Sequence, residues 1–345
     1  MKLVGIGVST MMYGLGYGFS RPDFASAEVE VASDGTVTLW SGASELGQGI
    51  RTALCQIAAQ ELGIAYEDTR IISADTASTP DAGPVSASRS VYVQGRAVIE
   101  ACHDLKTQLT VLAAELLGVT PQEIDFSRGV FHLVEDLARN VSISRVAEES
   151  HKRGKRFRGL GWVNNTTSDV DPETSQGDAY SAYAWASQLA EVEVDTETGL
   201  VKVLRIVSAT DAGKAINPLI VEGQVQGGAV QGMGFALMED MVVEEGHFKN
   251  ADLTTYLIPT AADVPVIESL LVEVPDPTGP YGAKGIGEPA TIPTAPAILN
   301  AIANATGKRI FSTPASPENL LQSLGKIDTR KEAYLSLDDL PYPQL

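Results

Sequence analysis

Residues 279–289 read Gly-Pro-Tyr-Gly-Ala-Lys-Gly-Ile-Gly-Glu-Pro, and the rest of the chain is interpreted around this stretch. Alternating glycines accept backbone angles closed to other residues and let a bulky ligand approach the main chain. Pro289 biases Glu288 away from helical geometry. The apolar segment 291–305 predicts a helix that ends at Gly307. We therefore expect Glu288 to project from a loop just before a helix, as either a catalytic carboxylate or a solvated turn residue.

Composition excludes several classes of partner and site. With 25 basic and 44 acidic residues, the 345-residue chain carries a net charge of −19, which argues against nucleic acid or an anionic membrane as partner. Two cysteines, Cys55 and Cys102, are too few for a disulfide framework or a thiolate metal cluster. Both lie in apolar, helix-like segments, so buried packing in a reducing, cytoplasmic compartment is the expected reading. We find no signal peptide or membrane-spanning run.

Two further loops lead into predicted helices. Residues 41–49 join a strand to a helix over 50–62, and they place backbone donors and the Gln48 amide at the positive end of that helix. Such a corner suits a phosphate or a polar heterocycle. Residues 83–90 precede a second helix over 91–117. The serines of that loop either cap the helix or bind an anionic ligand, and the sequence leaves both open.

The element pattern predicts an α+β fold in two parts. Asp34-Gly35 and residues 197–199 are hairpin signals between alternating strands. Asn217-Pro218 opens a helix rich in glycine and glutamine, which is costly unless a ligand or another backbone lies against it. The polar, turn-rich stretch 164–180 puts a boundary near residue 160. The glycines of 1–18 do not have the spacing of a dinucleotide-binding loop, so a Rossmann start is rejected.

Other common catalytic arrangements are not visible. The four histidines have no metal-ligand spacing, and no serine sits in a nucleophile elbow. Interpretation from the residues alone therefore stops at a two-part α+β protein with glycine-marked polar loops, one well-placed glutamate and an implied organic, anionic cofactor.

Four motifs together resemble a known family. They are Glu-Leu-Gly-Gln-Gly at 45–49, the loop 83–90 with its continuation Gln-Gly-Arg-Ala at 94–97, the glycine- and glutamine-rich helix at 223–232, and Gly-Ile-Gly-Glu-Pro at 285–289. In this order they are similar to the molybdopterin-binding subunit of the xanthine dehydrogenase and aldehyde oxidase family. The resemblance implies two mixed α/β subdomains of a molybdenum-cofactor-binding domain, residues 1–160 and 161–345, the second carrying the Glu288 loop.

The resemblance also implies an activity and its residues. A molybdenum hydroxylase oxidises a purine, N-heterocycle or aldehyde with water as the oxygen source, and Glu288 would be its general base. The metal would be held through the pterin, with no direct protein ligand. Tyr17 or Phe19 would face the substrate, and Gln231 is a further candidate contact of the pterin in the glycine-rich helix. Cofactor contacts are implied for Gly47, Gln48, Gly49, Ala87, Ser88, Arg89, Ser90 and Gln224.

The same resemblance implies partners. The chain is similar to only the C-terminal half of the family's large subunit, as a split-gene subunit or a fragment. A subunit equivalent to the first half, an iron–sulfur subunit and an FAD subunit are therefore expected, with the pterin in its plain or cytosine dinucleotide form. Two alternatives stay open: a catalytically silent scaffold subunit of such a complex, and a small-molecule binding module unrelated to molybdenum.

Overall fold

The structure, a computed structural model, describes residues 1–327 and has a mixed α and β fold. The last 18 positions of the second predicted subdomain, 328–345, lie outside the described residues. The helices are α1 (Ile50–Leu62), α2 (Gly95–Leu117), α3 (Ile143–Lys152), α4 (Pro218–Leu237), α5 (Thr294–Thr306) and α6 (Pro317–Ser323). The strands are β1 (Lys2–Gly14), β2 (Asp23–Val31), β3 (Val37–Ser41), β4 (Thr69–Ser73), β5 (Ile124–Ser127), β6 (Val130–Leu133), β7 (Asn140–Ser142), β8 (Arg158–Asn165), β9 (Tyr183–Asp195), β10 (Val201–Asp211), β11 (Val243–Glu244), β12 (His247–Phe248) and β13 (Val266–Val272).

Most predicted elements are confirmed, and their ends follow local chemistry. Gly63, Gly118 and Gly307 each end a helix in the left-handed conformation that glycine adopts without steric cost. Asn217 begins α4, where its side chain accepts a hydrogen bond from the amide of Ile220. These ends fix the two loops and the glycine-rich helix that carry the candidate site.

The first four-stranded sheet has the order β4-β3-β2-β8, and α2 packs along one face of it. Close packing is possible because β8 has glycine where α2 crosses. A Cβ atom on Gly159 would lie 2.0 Å from the carbonyl oxygen of Ala101, and one on Gly161 would lie 1.9 Å from that of Ala97. Cys55 and Cys102 are buried and free in this part of the molecule, as predicted.

The second sheet has the order β1-β9-β10-β13, and α4 and α5 cover one of its faces. The first strand of the chain, β1, pairs with β9 over its whole length, from Lys2 opposite Asp195 to Gly14 opposite Tyr183. The division at residue 160 stays a prediction. Each sheet combines strands from both sides of that division. Strand β1, from the N-terminal part, lies in the second sheet, and β8, which spans residue 160, is an edge strand of the first.

One face of the second sheet is apolar and uncovered by described residues. Val8 and Met12 on β1, Trp185 on β9 and Leu270 on β13 point to this face, and each is more than half exposed. Contiguous exposed apolar surface in a folded chain marks an interaction site more often than a solvated one. We name these four residues the apolar sheet face.

No helix within residues 1–327 is long and apolar enough to cross a membrane, and a cytoplasmic location stays a prediction.

The basic run near residues 151–158 is paired within the chain. Arg156 contacts Glu30, Arg158 contacts Glu28, and Arg153 contacts Glu149. Because these guanidinium groups already have carboxylate partners, the run is not a free polyanion-binding patch.

We predict that Gly7→Ala destabilises the protein by about 1–3 kcal/mol, the usual cost of overpacking. The added Cβ atom would lie 2.2 Å from the carbonyl oxygen of Ala297 and from the amide nitrogen of Ala301, both on α5. Urea unfolding measures the change. Thr10→Ala, on the exposed side of the same strand, is the control and should stay within about 0.5 kcal/mol of wild type. A Gly7→Ala protein of wild-type stability would show that α5 does not lie on β1.

Candidate functional site

A cavity of about 820 Å³ brings the four sequence motifs together. Its wall takes Gln48 from the loop before α1, Ser88 and Ser90 from the loop before α2, Gln224 from α4 and Glu288 from the turn before α5. These residues are separated by up to 240 positions in sequence. Their convergence on one cavity makes it the candidate site.

Glu288 lies at the start of a 3₁₀ turn, Glu288–Ala290, that leads into α5. The predicted placement of this carboxylate in front of a helix is therefore confirmed. Glu288 is half-buried, and it is the only carboxylate among the residues that line the cavity. Its backbone amide donates to the hydroxyl oxygen of Ser88 at 3.0 Å, and the same hydroxyl contacts Oε2 of the Glu288 side chain.

The glycines before Glu288 allow its loop to approach the loop before α2 closely. A Cβ atom on Gly285 would lie 1.6 Å from the carbonyl oxygen of Ser88, so only glycine fits where the two loops touch. On the other loop, Ala87 and Ser88 have φ angles of 51° and 49°, in the left-handed region that non-glycine residues seldom adopt. Such backbone strain is common at functional sites.

The loop before α1 is arranged differently from the prediction of free donors. The Glu45 carboxylate accepts hydrogen bonds from the amides of Gly47, Gly49 and Arg51 at 2.8–3.2 Å, so the helix start is already capped by an anion. Gln48 lines the cavity, but its side-chain amide donates to the carbonyl of Ser44. The positive end of α1 is therefore neutralised by a residue that the sequence reasoning passed over.

The helix start after Ser88 has no side-chain cap. A single π turn, Ser90–Gln94, precedes α2, and no side chain caps its first amides. Ser90 and Val91 line the cavity at this end. The capping alternative for the serines is thus not what the structure shows, and the anion-binding alternative stays a prediction.

Close packing explains part of the glycine content of helix α4. Gly228 and Gly232 pack against the Glu288 turn, since Cβ atoms there would lie 2.6 Å from Ala290 and 2.5 Å from Thr294. This confirms the expectation of a close backbone. Gln224 and Gln231 both line the cavity, and neither side chain has a hydrogen-bond partner among the described residues. Their amide groups are therefore available to a ligand.

Two of the residues that line the cavity are lysines for which sequence reasoning predicted no role. Lys214 and Lys284 both line it, against the single carboxylate of Glu288. Lys284 is buried and forms an ion pair with buried Asp211 at 2.7 Å, while Lys214 is exposed and pairs with Glu273 at 2.6 Å. Lys284 is part of the 279–289 motif, but no role was predicted for it. Because each lysine already has a carboxylate partner, neither supplies an unpaired positive charge to the cavity.

Arg89 and Ala87 do not reach this cavity. The Arg89 guanidinium is buried; it pairs with Asp23 and donates to the carbonyl of Pro84 at 2.9 Å, so it anchors the loop from within. Ala87 lines a separate cavity of about 450 Å³. A contact of the Arg89 side chain with a ligand in the larger cavity has no support in this geometry.

The smaller cavity holds the two predicted substrate residues. Tyr17 and Phe19 line it together with Tyr13 and Tyr180. Burial and then the negative charge of Glu288 raise the pKa of Tyr13 to about 12. Tyr13 therefore lines the smaller cavity and lies near the Glu288 carboxylate. It was missed because no strand was assigned to β1.

Comparison with known proteins identifies the fold and the family. A family model described as a molybdopterin cofactor-binding domain matches residues 1–265, more than half of the chain. The chain belongs to the molybdopterin cofactor-binding family. This family explains why four glycine-marked motifs converge on one cavity.

Relatives within this family are much longer than the chain. A putative xanthine dehydrogenase molybdenum-binding subunit of Escherichia coli (strain K12) is 33% identical over 322 residues, which cover 92% of the chain and 42% of the relative. The aldehyde oxidoreductase of Megalodesulfovibrio gigas is 32% identical over 325 residues and is covered to 32%. The chain thus spans less than half the length of these relatives.

Solved structures of the family share the fold. Carbon monoxide dehydrogenase from Oligotropha carboxidovorans superposes with a TM-score of 0.82 at 25% identity, over 94% of this chain and 41% of that one. Quinoline 2-oxidoreductase from Pseudomonas putida 86 gives 0.82 at 29% identity, over 94% and 42%. The predicted α+β fold of a molybdenum-cofactor-binding domain is confirmed.

The lining of the cavity fits the cofactor of this family. Uncapped amides at Ser90 and free amide groups on Gln224 and Gln231 are donors of the kind that a pterin and its phosphate require. Within residues 1–327, no group of three or more His, Cys, Asp or Glu residues is placed to hold a metal ion directly. A metal carried by the pterin needs no such group.

We predict that Glu45→Gln lowers the stability of the protein by about 1 kcal/mol at neutral pH, the usual worth of a helix cap. Burial alone would raise the Glu45 pKa, but the amide donors outweigh it and hold the pKa below its ordinary 4.5. A depressed folded-state pKa stabilises the protein above the unfolded value, and this contribution is lost as the pH falls through the folded value.

The difference between wild type and Glu45→Gln should therefore be constant from about pH 7 to about pH 5.5 and shrink below about pH 4.5. Urea unfolding across this range measures it. Glu67→Gln, at an exposed position after α1, is the control. A difference that grows on acidification would contradict the capping role.

Proposed function

We propose that this chain is the catalytic, cofactor-binding part of a molybdenum hydroxylase. The observation that carries the proposal is the single cavity in which Gln48, Ser90, Gln224 and Glu288 converge. A carboxylate is not expected in a cavity whose other groups favour an anion, because its negative charge repels a negatively charged ligand. Its retention there is explained if the carboxylate takes part in the reaction.

Each side of the cavity has a separate role in this proposal. Ser90, Val91, Gln224 and Gln231 bind the pterin and its phosphate by hydrogen bonds, and Gln48 closes the opposite wall. When bound, the molybdenum cofactor supplies the two-electron oxidation, with water as the oxygen source. Glu288 accepts the proton that the water-derived oxygen gives up during attack on the substrate carbon. Its position in the wall of the larger cavity suits that task.

The substrate is proposed to enter from the smaller cavity. Tyr17, Phe19 and Tyr180 surround it, and the Phe19 and Tyr180 rings meet edge to face with centroids 5.6 Å apart. Aromatic walls favour a planar, electron-poor ring. An N-heterocycle or purine is therefore preferred to a small aldehyde. Both the plain and the cytosine dinucleotide forms of the pterin carry the phosphate that Ser90 would meet.

The partners in the proposal follow from what the chain lacks relative to its relatives. It covers only 42% of the xanthine dehydrogenase subunit, and its apolar sheet face is exposed. We propose that the polypeptide equivalent to the first half packs on this face. Iron–sulfur and FAD subunits would then carry the electrons away, as expected of a hydroxylase that must be reoxidised after each turnover.

A catalytically silent scaffold is the second candidate. The observation that favours it is the capping of the α1 start by Glu45, which occupies donors that the active-enzyme hypothesis gave to the cofactor. The placement of Glu288 opposes it, since a scaffold has no need for a lone carboxylate in a lysine-lined cavity. The binding module unrelated to molybdenum is not proposed, because the family membership accounts for the motifs.

We predict that Glu288→Gln lowers kcat about 10²- to 10⁴-fold in the assembled enzyme, the usual contribution of a general base. The amide keeps the size and hydrogen bonds of the side chain but cannot accept the proton. Molybdenum and pterin content, measured by elemental analysis and pterin fluorescence, should remain at the wild-type level, because the change does not touch the proposed cofactor donors.

Glu222→Gln, at an exposed position on α4, is the matched control and should keep wild-type kcat. A Glu288→Gln enzyme with wild-type kcat would favour the silent scaffold. A protein without molybdenum in every co-expressed assembly would contradict the proposed function itself.

We predict that Val8→Asp or Leu270→Asp weakens binding of the first-half polypeptide at least tenfold, since each places an unpaired charge in the proposed interface. Binding is measured by titration calorimetry with the two polypeptides expressed separately. Val111→Asp is the control, because Val111 is also apolar and about half exposed but lies on α2. Equal affinity for all variants would show that the partner does not use the apolar sheet face.

A further inference from the structure

The Ser88 hydroxyl is committed to Glu288. It accepts a hydrogen bond from the Glu288 amide at 3.0 Å and contacts the Oε2 atom of the Glu288 carboxylate. A carboxylate can only accept, so the single hydroxyl hydrogen is donated to Oε2. With its donor in use, this hydroxyl has none left for a pterin phosphate.

The backbone holds that hydroxyl in place. Ser88 lies in the left-handed region, and the buried Arg89 that follows it is fixed by Asp23 and the Pro84 carbonyl. The Ser88 carbonyl lies directly on Gly285, three residues before Glu288. The loop before α2 and the loop before α5 are therefore joined by backbone contact and by a side-chain hydrogen bond.

Tyr13 approaches the same pair from the smaller cavity. Burial and the negative charge of Glu288 raise the pKa of its phenol to about 12, so the phenol is neutral beside the carboxylate. The hydrogen bonds that hold Glu288 therefore come from Ser88, on the loop before α2.

We propose that Ser88 is a positioning residue for Glu288 and not a contact of the cofactor. By engaging Oε2, the hydroxyl leaves Oε1 as the oxygen that accepts the proton. The inference rests on the proposed function for its catalytic meaning. It revises the role that family resemblance implied for Ser88, and it assigns the anionic end of the cofactor to Ser90 and the amides beside it.

Two substitutions in the assembled enzyme test this assignment. Ser88→Ala and Ser88→Gly both remove the hydroxyl, and glycine also relieves the left-handed backbone. We expect kcat to fall about 10- to 100-fold in both, since small misplacements of a reacting group have costs of this order. KM and molybdenum content should stay at the wild-type values. Agreement between the two variants would assign the loss to the hydroxyl and not to the backbone.

Two comparison variants separate positioning from cofactor binding. Ser90→Ala removes a proposed cofactor contact and should lower molybdenum content together with activity. Ser78→Ala removes an exposed hydroxyl that bonds to Asp75 in the same long loop, and it should leave both quantities unchanged. Loss of molybdenum from the Ser88 variants in proportion to activity would overturn the positioning role and return Ser88 to the cofactor contacts. Wild-type kcat in both Ser88 variants would also overturn it.

A crystal structure of the Ser88→Ala protein gives a readout that needs no bound cofactor. We expect the Glu288 carboxylate to leave its wild-type position by about 1 Å or more, or to lose defined density, while the Ser78→Ala structure keeps it. An unmoved Glu288 in Ser88→Ala would overturn the inference. Because this readout is independent of molybdenum, its outcome stands apart from the success or failure of the proposed function.

Discussion

Contact between backbones at glycine positions is the constraint on which the structure depends. Helix α5 lies directly on β1 because Gly5 and Gly7 have no side chain, and α4 lies on the Glu288 turn because of Gly228 and Gly232. Elements that approach this closely have little freedom to shift. The cavity wall is consequently built from rigid elements, which is what a site needs if its groups are to stay in reacting geometry.

Close backbone contact at a glycine also fixes the position of Glu288, the one carboxylate that lines the cavity. Glu288 lies three residues after Gly285, where an added Cβ atom would clash with the carbonyl oxygen of Ser88, and this close approach sets the distance between two loops about 200 residues apart in sequence. Binding and proton transfer are thereby divided between elements. The start of α2 and the face of α4 offer donors for an anion, whereas the turn before α5 offers a base.

Sequence reasoning was strongest where a local rule applies. Helix ends at Gly63, Gly118 and Gly307, and the hairpin at Gly199, follow from glycine geometry and were confirmed. It failed for β1, because its glycines interrupt the usual strand pattern. Glycine is required in β1 because α5, about 290 residues away in sequence, packs directly on this strand. A rule based on neighbouring residues does not include that contact.

The candidate site shows the same limit. Gln48, Ser88, Gln224 and Glu288 were recognised as motifs, but which groups are free to bind a ligand depends on tertiary neighbours. Glu45 fills the start of α1, a competing hydrogen bond that the motif alone does not reveal. Tyr13 reaches Glu288 only because β1 crosses to the second sheet.

The most direct test is the location of molybdenum in crystals of the assembled enzyme, by anomalous diffraction on both sides of the molybdenum K edge. The account predicts one strong peak inside the 820 Å³ cavity, beside the Glu288 carboxylate and without a protein ligand on the metal. A peak elsewhere in the assembly, or a metal ligated by side chains of this chain, would contradict it.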